Sequence, residues 1–253
     1  MLVSFIGLGN MGAPLAKNIM AAGESLMVYG RTPRRLEPFR EAGAQVAAEI
    51  SDLAACDVLC TCLPLPEHVA GVVLGENGLY ARMKAGSVHV EFSTIDPGTA
   101  GKLAAAAAEK GIAYVQATVG KTPQMAAQCQ EPLFIGGDRK AVERLMPLFS
   151  KIGQPRDVGT VDASCAVKLL SNLVGMTNLA VLAEGMRIGR LAGMDPKLLV
   201  ELLQDTGARS FQLDVRGPWI AEGDYAARFG VDLALKDVKL GCAMARGWGY
   251  EPR

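Results

Sequence analysis

Lys168 is the side chain whose surroundings most suggest chemistry. It is the only Lys, Arg, Asp or Glu between Asp162 and Glu184, in a stretch rich in Leu, Val and Ala. An ammonium among apolar groups is costly unless it has a partner or a task. Asn172 lies four residues on, on the same face of a helix. An ammonium beside an amide is suited to exchanging a proton with an oxygen that becomes an alkoxide. The plain alternative is a lysine snorkelling to water from a core helix.

A second constellation opens the chain, where Leu2-Val3-Ser4-Phe5-Ile6 runs into Gly7-Leu8-Gly9-Asn10-Met11-Gly12. A strand, a glycine turn and a helix start in that order suit a dinucleotide pyrophosphate. Gly7 permits the turn, Gly9 admits the phosphates and Gly12 lets helix and strand pack closely. The N–H groups of the helix start then face the anion. The alternative is an ordinary strand-to-helix turn.

The strand expected at 25–29 ends without the acidic residue that holds a ribose 2′-hydroxyl in NAD-type sites. Tyr29-Gly30-Arg31-Thr32-Pro33-Arg34-Arg35 stands there instead. Arg31 can stack on adenine or pair with a 2′-phosphate, and Thr32 can hydrogen-bond to it. NADP is therefore expected, with NAD possible; the alternative is a solvated basic loop.

Other candidates follow strand ends. Leu63-Pro64 closes a strand at 57–63, and Ser93-Thr94 follows one at 87–92. Ligands of doubly wound sheets bind at that edge, although Ser93 and Thr94 serve equally well as capping hydroxyls. The loop after 112–115, Gln116-Ala117-Thr118-Val119-Gly120-Lys121-Thr122, is suited to an anionic group. Gly120 N–H, Lys121 and Thr122 are its expected grips. His89, between valines, is expected to be structural. Lys236-Asp237 is either a surface ion pair or a lysine directed at the site.

Alternating strands and helices up to about residue 152 predict a Rossmann-like α/β domain with a doubly wound parallel sheet over 1–161. A long apolar helix pattern over 163–192 opens an all-α domain over 162–253. Asp96-Pro97 and Asp195-Pro196 mark helix starts by cap and proline. The stretch 210–222 reads as less regular, and 229–247 as a final helix. Lys168, Ser171, Asn172 and Asn178 interrupt the long pattern, so no membrane span is expected.

Lys plus Arg equals Asp plus Glu, 26 each, which gives no global pull toward nucleic acid or an anionic membrane. Six cysteines without a C-x-x-C pair read as reduced thiols of a cytoplasmic protein. Two histidines without paired spacing predict no metal. The apolar run from residue 2 leads us to expect no leader. The long apolar helix suggests a homodimer or homotetramer.

Phe5-Ile6-Gly7-Leu8-Gly9-Asn10-Met11-Gly12 with Pro14-Leu15-Ala16-Lys17-Asn18, Cys62-Leu63-Pro64, Ser93-Thr94-Ile95-Asp96-Pro97, Lys168-Leu169-Leu170-Ser171-Asn172 and Lys236-Asp237 together resemble the β-hydroxyacid dehydrogenase family over the whole chain. The resemblance implies an NADPH-dependent reductase interconverting a small aldehyde- or keto-acid and its hydroxy acid, between the two domains. It implies Lys168 as catalytic lysine, Asn172 as its partner, Lys236 near the nicotinamide, and Ser93 and Thr94 lining the site. Several features depart from the family pattern, among them Gly30 where an Asn is usual and Cys129-Gln130 where a glycine is usual. Glu91-Phe92 replaces Asp-Met, the substrate loop carries Gly120-Lys121-Thr122, and the end at Gly249-Tyr250-Glu251-Pro252-Arg253 suggests a shortened helical domain. Lys121 opens a sulfonate substrate as an alternative. A non-catalytic dinucleotide-binding protein is a second.

Overall fold

The computed structural model describes residues 1–226 and 228–252. Ala227 and Arg253, the last residue of the terminal stretch noted above, lie outside them. The chain falls into two compact units, Met1–Lys168 and Leu169–Arg253.

The first unit is a sheet wrapped by helices. In chain order it holds β1 (Leu2–Ile6), α1 (Gly12–Ala21), β2 (Ser25–Tyr29), α2 (Pro33–Glu41), β3 (Gln45–Val46), β4 (Val58–Thr61), α3 (Pro66–Val73), β5 (Val88–Glu91), α4 (Pro97–Glu109), β6 (Ala113–Val119), α5 (Pro123–Ala126), β7 (Pro132–Gly137), α6 (Arg139–Ile152) and β8 (Gln154–Gly159). Strand order is β3-β2-β1-β4-β5-β6-β7-β8. Every neighbouring pair is parallel except β6 with β7. This is a Rossmann-like, doubly wound and predominantly parallel sheet. The reversal at β7 brings its first residues to the carboxyl edge of β6, where Val119 pairs with Leu133.

Strands β4 and β5 are buried throughout, as parallel strands covered on both faces must be. Alternate residues feed two cores. Val3, Phe5, Val58, Cys60, Val88 and Val90 pack with side chains of α1, α2 and α6. Ile6, Leu59 and Tyr114 pack with those of α3 and α4.

α7 (Val161–Leu191) begins in the first unit. Ser164 Oγ donates to Phe134 O at 2.6 Å, and Thr118 Oγ1 donates to Ser164 O at 3.0 Å. These bonds fix the first turn of α7 to β6 and β7. The second unit continues with α8 (Pro196–Gln204), α9 (Phe211–Glu222) and α10 (Val231–Gly247).

Four features differ from expectation. The stretch 210–222 is a regular helix, α9, because Ser210 caps it through Leu213 N–H and left-handed Gly223 closes it around Gly217 and Pro218. α2 and α3, which start at Pro33 and Pro66, are helices for which no start was expected. β8 is an added polar edge strand. α7 is not a buried helix: Leu170, Val174, Val181, Ile188 and Leu191 are at least half exposed. By length and composition alone α7 could cross a membrane.

Candidate active site

The glycine turn fits a dinucleotide phosphate on its own geometry. Gly7 has φ +105°, and a Cβ there would collide with the Cys62 carbonyl. A Cβ on Gly12 would collide with Gly7 O, whereas one on Gly9 would meet nothing. Two of the three glycines thus close the turn against β1 and β4, and the third leaves open space. No side chain caps α1, and no acidic residue occupies its first turn. An anion is welcome at such an N-terminus. Leu8 is buried in the core, so only its backbone faces the turn, while Asn10 is exposed and Met11 half-buried.

Arg31 and Thr32 lie just past β2 and are exposed. Thr32 occupies the N-cap position of α2, yet its hydroxyl does not cap the helix. A guanidinium and an uncommitted hydroxyl therefore follow the second strand.

At the ends of β4 and β5, Leu63 N–H donates to Ser93 Oγ at 2.7 Å. Ser93 is buried, Thr94 half-buried and Pro64 exposed. Half-buried Lys168 belongs to the same neighbourhood. Burial and nearby Glu91 push the Cys62 thiol up to about 12, and the Lys168 ammonium pulls it down. Lys168 is one helical turn beyond the tethered Ser164, so β6 and β7 set its position.

Gly120 requires a correction. Its N–H donates to Pro132 O at 2.9 Å and is not available to an anion. Its lack of a side chain lets Pro132 approach instead. Thr122 Oγ1 accepts from Met125 N–H at 3.4 Å as the cap of α5, leaving the hydroxyl proton for another acceptor. Lys121 has left-handed φ +60°; its exposed ammonium donates to Gln130 O at 3.3 Å. Nearby Glu131 is fully buried, with no hydrogen-bond partner for either carboxylate oxygen. Burial pushes it up to about 7, opposed by Lys121.

In the helical unit, Asn172 Nδ2 donates to Asp237 Oδ2 at 2.6 Å. Lys236 Nζ lies 2.7 Å from the other oxygen of Asp237. Asp237 is buried and Lys236 half-buried, so Lys236-Asp237 is not the exposed surface pair. The amide of Asn172 is thereby oriented, with its oxygen directed away from Asp237.

Sequence reading missed several residues beside the candidates: in the sheet unit Thr61, Glu91 as a hydrogen-bond centre and Ser164, and in the helical unit Asp237 as the partner of Asn172. Their only signal was position, at strand ends or one turn from a candidate. Among the described residues, no group of three or more His, Cys, Asp or Glu is placed to hold a metal. All six cysteines are free thiols.

Residues 2–168 match the family described as the NAD-binding domain of 6-phosphogluconate dehydrogenase. Residues 163–252 match the NAD-binding region of NADP-dependent 3-hydroxyisobutyrate dehydrogenase. The chain is 34% identical to the NAD-dependent L-serine dehydrogenase of Pseudomonas aeruginosa, over 94% of this chain and 83% of that protein. It is 33% identical to the 2-(hydroxymethyl)glutarate dehydrogenase of Eubacterium barkeri, over 97% and 82%. Among solved structures, a 3-hydroxyisobutyrate dehydrogenase from Salmonella typhimurium superposes with a TM-score of 0.91 at 25% identity, covering 100% of this chain and 89% of that one. Psf3 in complex with NADP+ and 2-OPP superposes with a TM-score of 0.88 at 26% identity, covering 99% and 87%.

Proposed function

The chain belongs to the β-hydroxyacid dehydrogenase family and is an NAD(P)-dependent oxidoreductase, and on that premise we propose that it reduces a small aldehyde- or keto-acid to its hydroxy acid with NADPH. The observation that carries this is the gathering, in one unit, of the phosphate-ready glycine turn, the Leu63–Ser93 bond and the Lys168 ammonium.

Gly7, Leu8, Gly9, Asn10, Met11 and Gly12 hold the pyrophosphate, by backbone and by the α1 dipole. Arg31 and Thr32 take the 2′-phosphate, which makes NADPH the preferred form and leaves NADH usable. Leu63, Pro64, Ser93, Thr94 and Lys236 are assigned to the rest of the cofactor, which when bound supplies the hydride. Lys168 as ammonium gives its proton to the developing alkoxide; its neutral form takes the proton back in the oxidative direction. Asn172, held by Asp237, orients that ammonium or the substrate oxygen.

The substrate is a small anion met by Ser93, Lys121 and Thr122. The named substrates of the two relatives, L-serine and 2-(hydroxymethyl)glutarate, each carry a hydroxymethyl group beside a carboxylate-bearing carbon. A carboxylate is therefore the first expectation. The exposed Lys121 favours a second, a sulfonate. A panel of semialdehydes and sulfonate analogues, run separately with NADPH and NADH, tests both. Turnover of none of them would sink the reductase assignment, and indifference to Lys121→Ala would sink the sulfonate.

We further propose a homodimer or homotetramer in which a second copy covers the exposed apolar residues of α7. We propose the cytoplasm as its location and a small molecule, rather than nucleic acid or a membrane, as its partner; the balanced charge and the cysteines without a C-x-x-C pair support that reading.

A further inference from the structure

Beneath the carboxyl edge of the sheet lies a polar layer that the mechanism above does not use. Thr61, Glu91 and Gln116 pair across β4, β5 and β6 at one level; Leu59, His89 and Tyr114 pair two residues earlier on the same face. Glu91 and His89 are fully buried. Buried polar groups persist only when their partners are arranged around them.

Donors and acceptors here can be assigned by counting protons. Thr61 Oγ1 has one proton and gives it to Glu91 Oε2 at 2.5 Å. Its lone pair must then receive His89 Nε2–H, at 2.7 Å. His89 is neutral, since burial pushes its imidazole down to about 3. Nδ1 therefore carries no proton and accepts from Tyr80 Oη at 2.6 Å. The bonds run in one direction, from Tyr80 through His89 and Thr61 into the Glu91 carboxylate.

On its other side Glu91 meets the site. Ser93 N–H donates to Oε1 at 2.6 Å, and the Ser93 side chain also favours the ionised carboxylate. Ser93 Oγ in turn accepts Leu63 N–H at 2.7 Å. Gln116 Nε2 reaches the backbone oxygens of Glu91 and Ser93, 3.1 Å each, while its own oxygen accepts from Tyr114. Glu91 thus joins the rigid interior to the two residues that follow β4 and β5.

We propose that Glu91 is a positioning residue: its carboxylate fixes Ser93 through the backbone N–H and, through the Ser93 hydroxyl, the Leu63 backbone at the edge where the cofactor is read to bind. This rests on the functional reading above. Glu91 touches neither substrate nor cofactor and acts through Ser93.

The bonding pattern makes the device sensitive to one proton. A proton on Oε2 would face the Thr61 hydroxyl, which must then turn toward His89; His89 must move its proton to Nδ1, and Tyr80 must accept. Burial raises Glu91 to about 7, against the Thr61 and Ser93 bonds that lower it. The groups facing it are Cys60 from β4 and Cys62 just after it, His89 from β5, Tyr114 from β6, Tyr80 from the turn after α3, and Cys165 from α7. Burial favours the neutral form of each, and the Lys168 ammonium acts on Cys62 in the same cluster.

The test measures NADPH affinity by fluorescence, together with kcat and KM from about pH 5 to about pH 9, in the full chain. The parent should lose kcat/KM as pH falls through about 7, the range in which Glu91 takes up its proton. Glu91→Gln should abolish that acid limb and weaken NADPH about tenfold, since its amide nitrogen cannot accept. Glu91→Asp keeps an ionisable acceptor, so the limb should return with part of the affinity. Parental affinity and an unchanged limb in Glu91→Gln overturn the proposal. If that variant does not fold by thermal melting, Thr61→Val decides: losing a donor should move the limb to higher pH, and an unmoved limb overturns the proposal. A parent that does not bind NADPH overturns the functional reading and this proposal together, a result distinct from a parental Glu91→Gln.

Discussion

The two units bury their apolar surface in different ways. The sheet unit closes on itself: Phe5, Leu15, Ile19, Leu59, Leu103, Leu133 and Phe149 are all shielded to below 2% exposure. The helical unit gathers a cluster of four buried side chains, Met186, Leu199, Val200 and Leu213, while its long helix leaves Val174, Val181, Ile188 and Leu191 more than half exposed. Those exposed positions are seven, seven and three residues apart, one stripe on the helix. A domain that holds so little of its own core depends on something beyond itself. On the reading proposed above, the glycine turn and Lys168 belong to the closed unit, while the open unit carries the stripe on which a second copy is proposed to dock.

The strongest attempt to break this division of labour is Lys168→Ala. Turnover should fall about a thousandfold, the scale of a general acid, with NADPH affinity within about twofold of the parent. Stopped-flow and equilibrium titration measure the two; full turnover would mean that the proton comes from elsewhere. On the open unit, Val181→Asp with Ile188→Asp should convert the proposed oligomer to a monomer by light scattering and lower the helical unit's melting temperature by about 5 °C or more. Unchanged mass would show that no second copy covers the stripe.

Glu131→Gln sharpens the picture of the closed unit by removing a flaw from it. The folded-state value of Glu131 is raised from 4.5 to about 7, so between those values the folded chain holds the extra proton. The parent should thus lose stability as pH rises through that window, by ~2 kcal/mol, while the variant should not. Urea melts at about pH 5 and about pH 8 give the difference, and equal pH dependence would refute it. The smallest effect is expected for Arg31→Ala, which should weaken NADPH about tenfold and leave NADH unchanged. Equal losses for both cofactors would assign Arg31 to adenine rather than to the 2′-phosphate.

How much of this was legible in the chain depended on whether the cause was local. The glycine turn, the largely apolar β4, the β5 strand before Ser93-Thr94 and the Asp96-Pro97 and Asp195-Pro196 starts are written in neighbouring residues, and the structure has them where expected. α2 was hidden because its residues are mostly charged and carry Pro38 inside. β8 was hidden because Gln154-Pro155-Arg156-Asp157 shows no apolar alternation, its pairing being dictated by β7. The anionic grip expected of Gly120 N–H failed for a nonlocal reason, the arrival of Pro132 from the reversed β7. His89 read correctly as structural, yet its partners come from Tyr80 and Thr61, nine and 28 residues away, which no spacing rule supplies.

Gly7 was described as the residue that lets the turn come close to Cys62. Cys62 directly follows β4, so the wall against which the turn rests is made 55 residues later in the chain. A fragment ending after β2 would carry the whole glycine pattern and yet lack that wall. The pattern is therefore local in its letters but not in its construction: the phosphate cradle is complete only once β4 has docked beside β1, and ligand binding becomes a report on that docking.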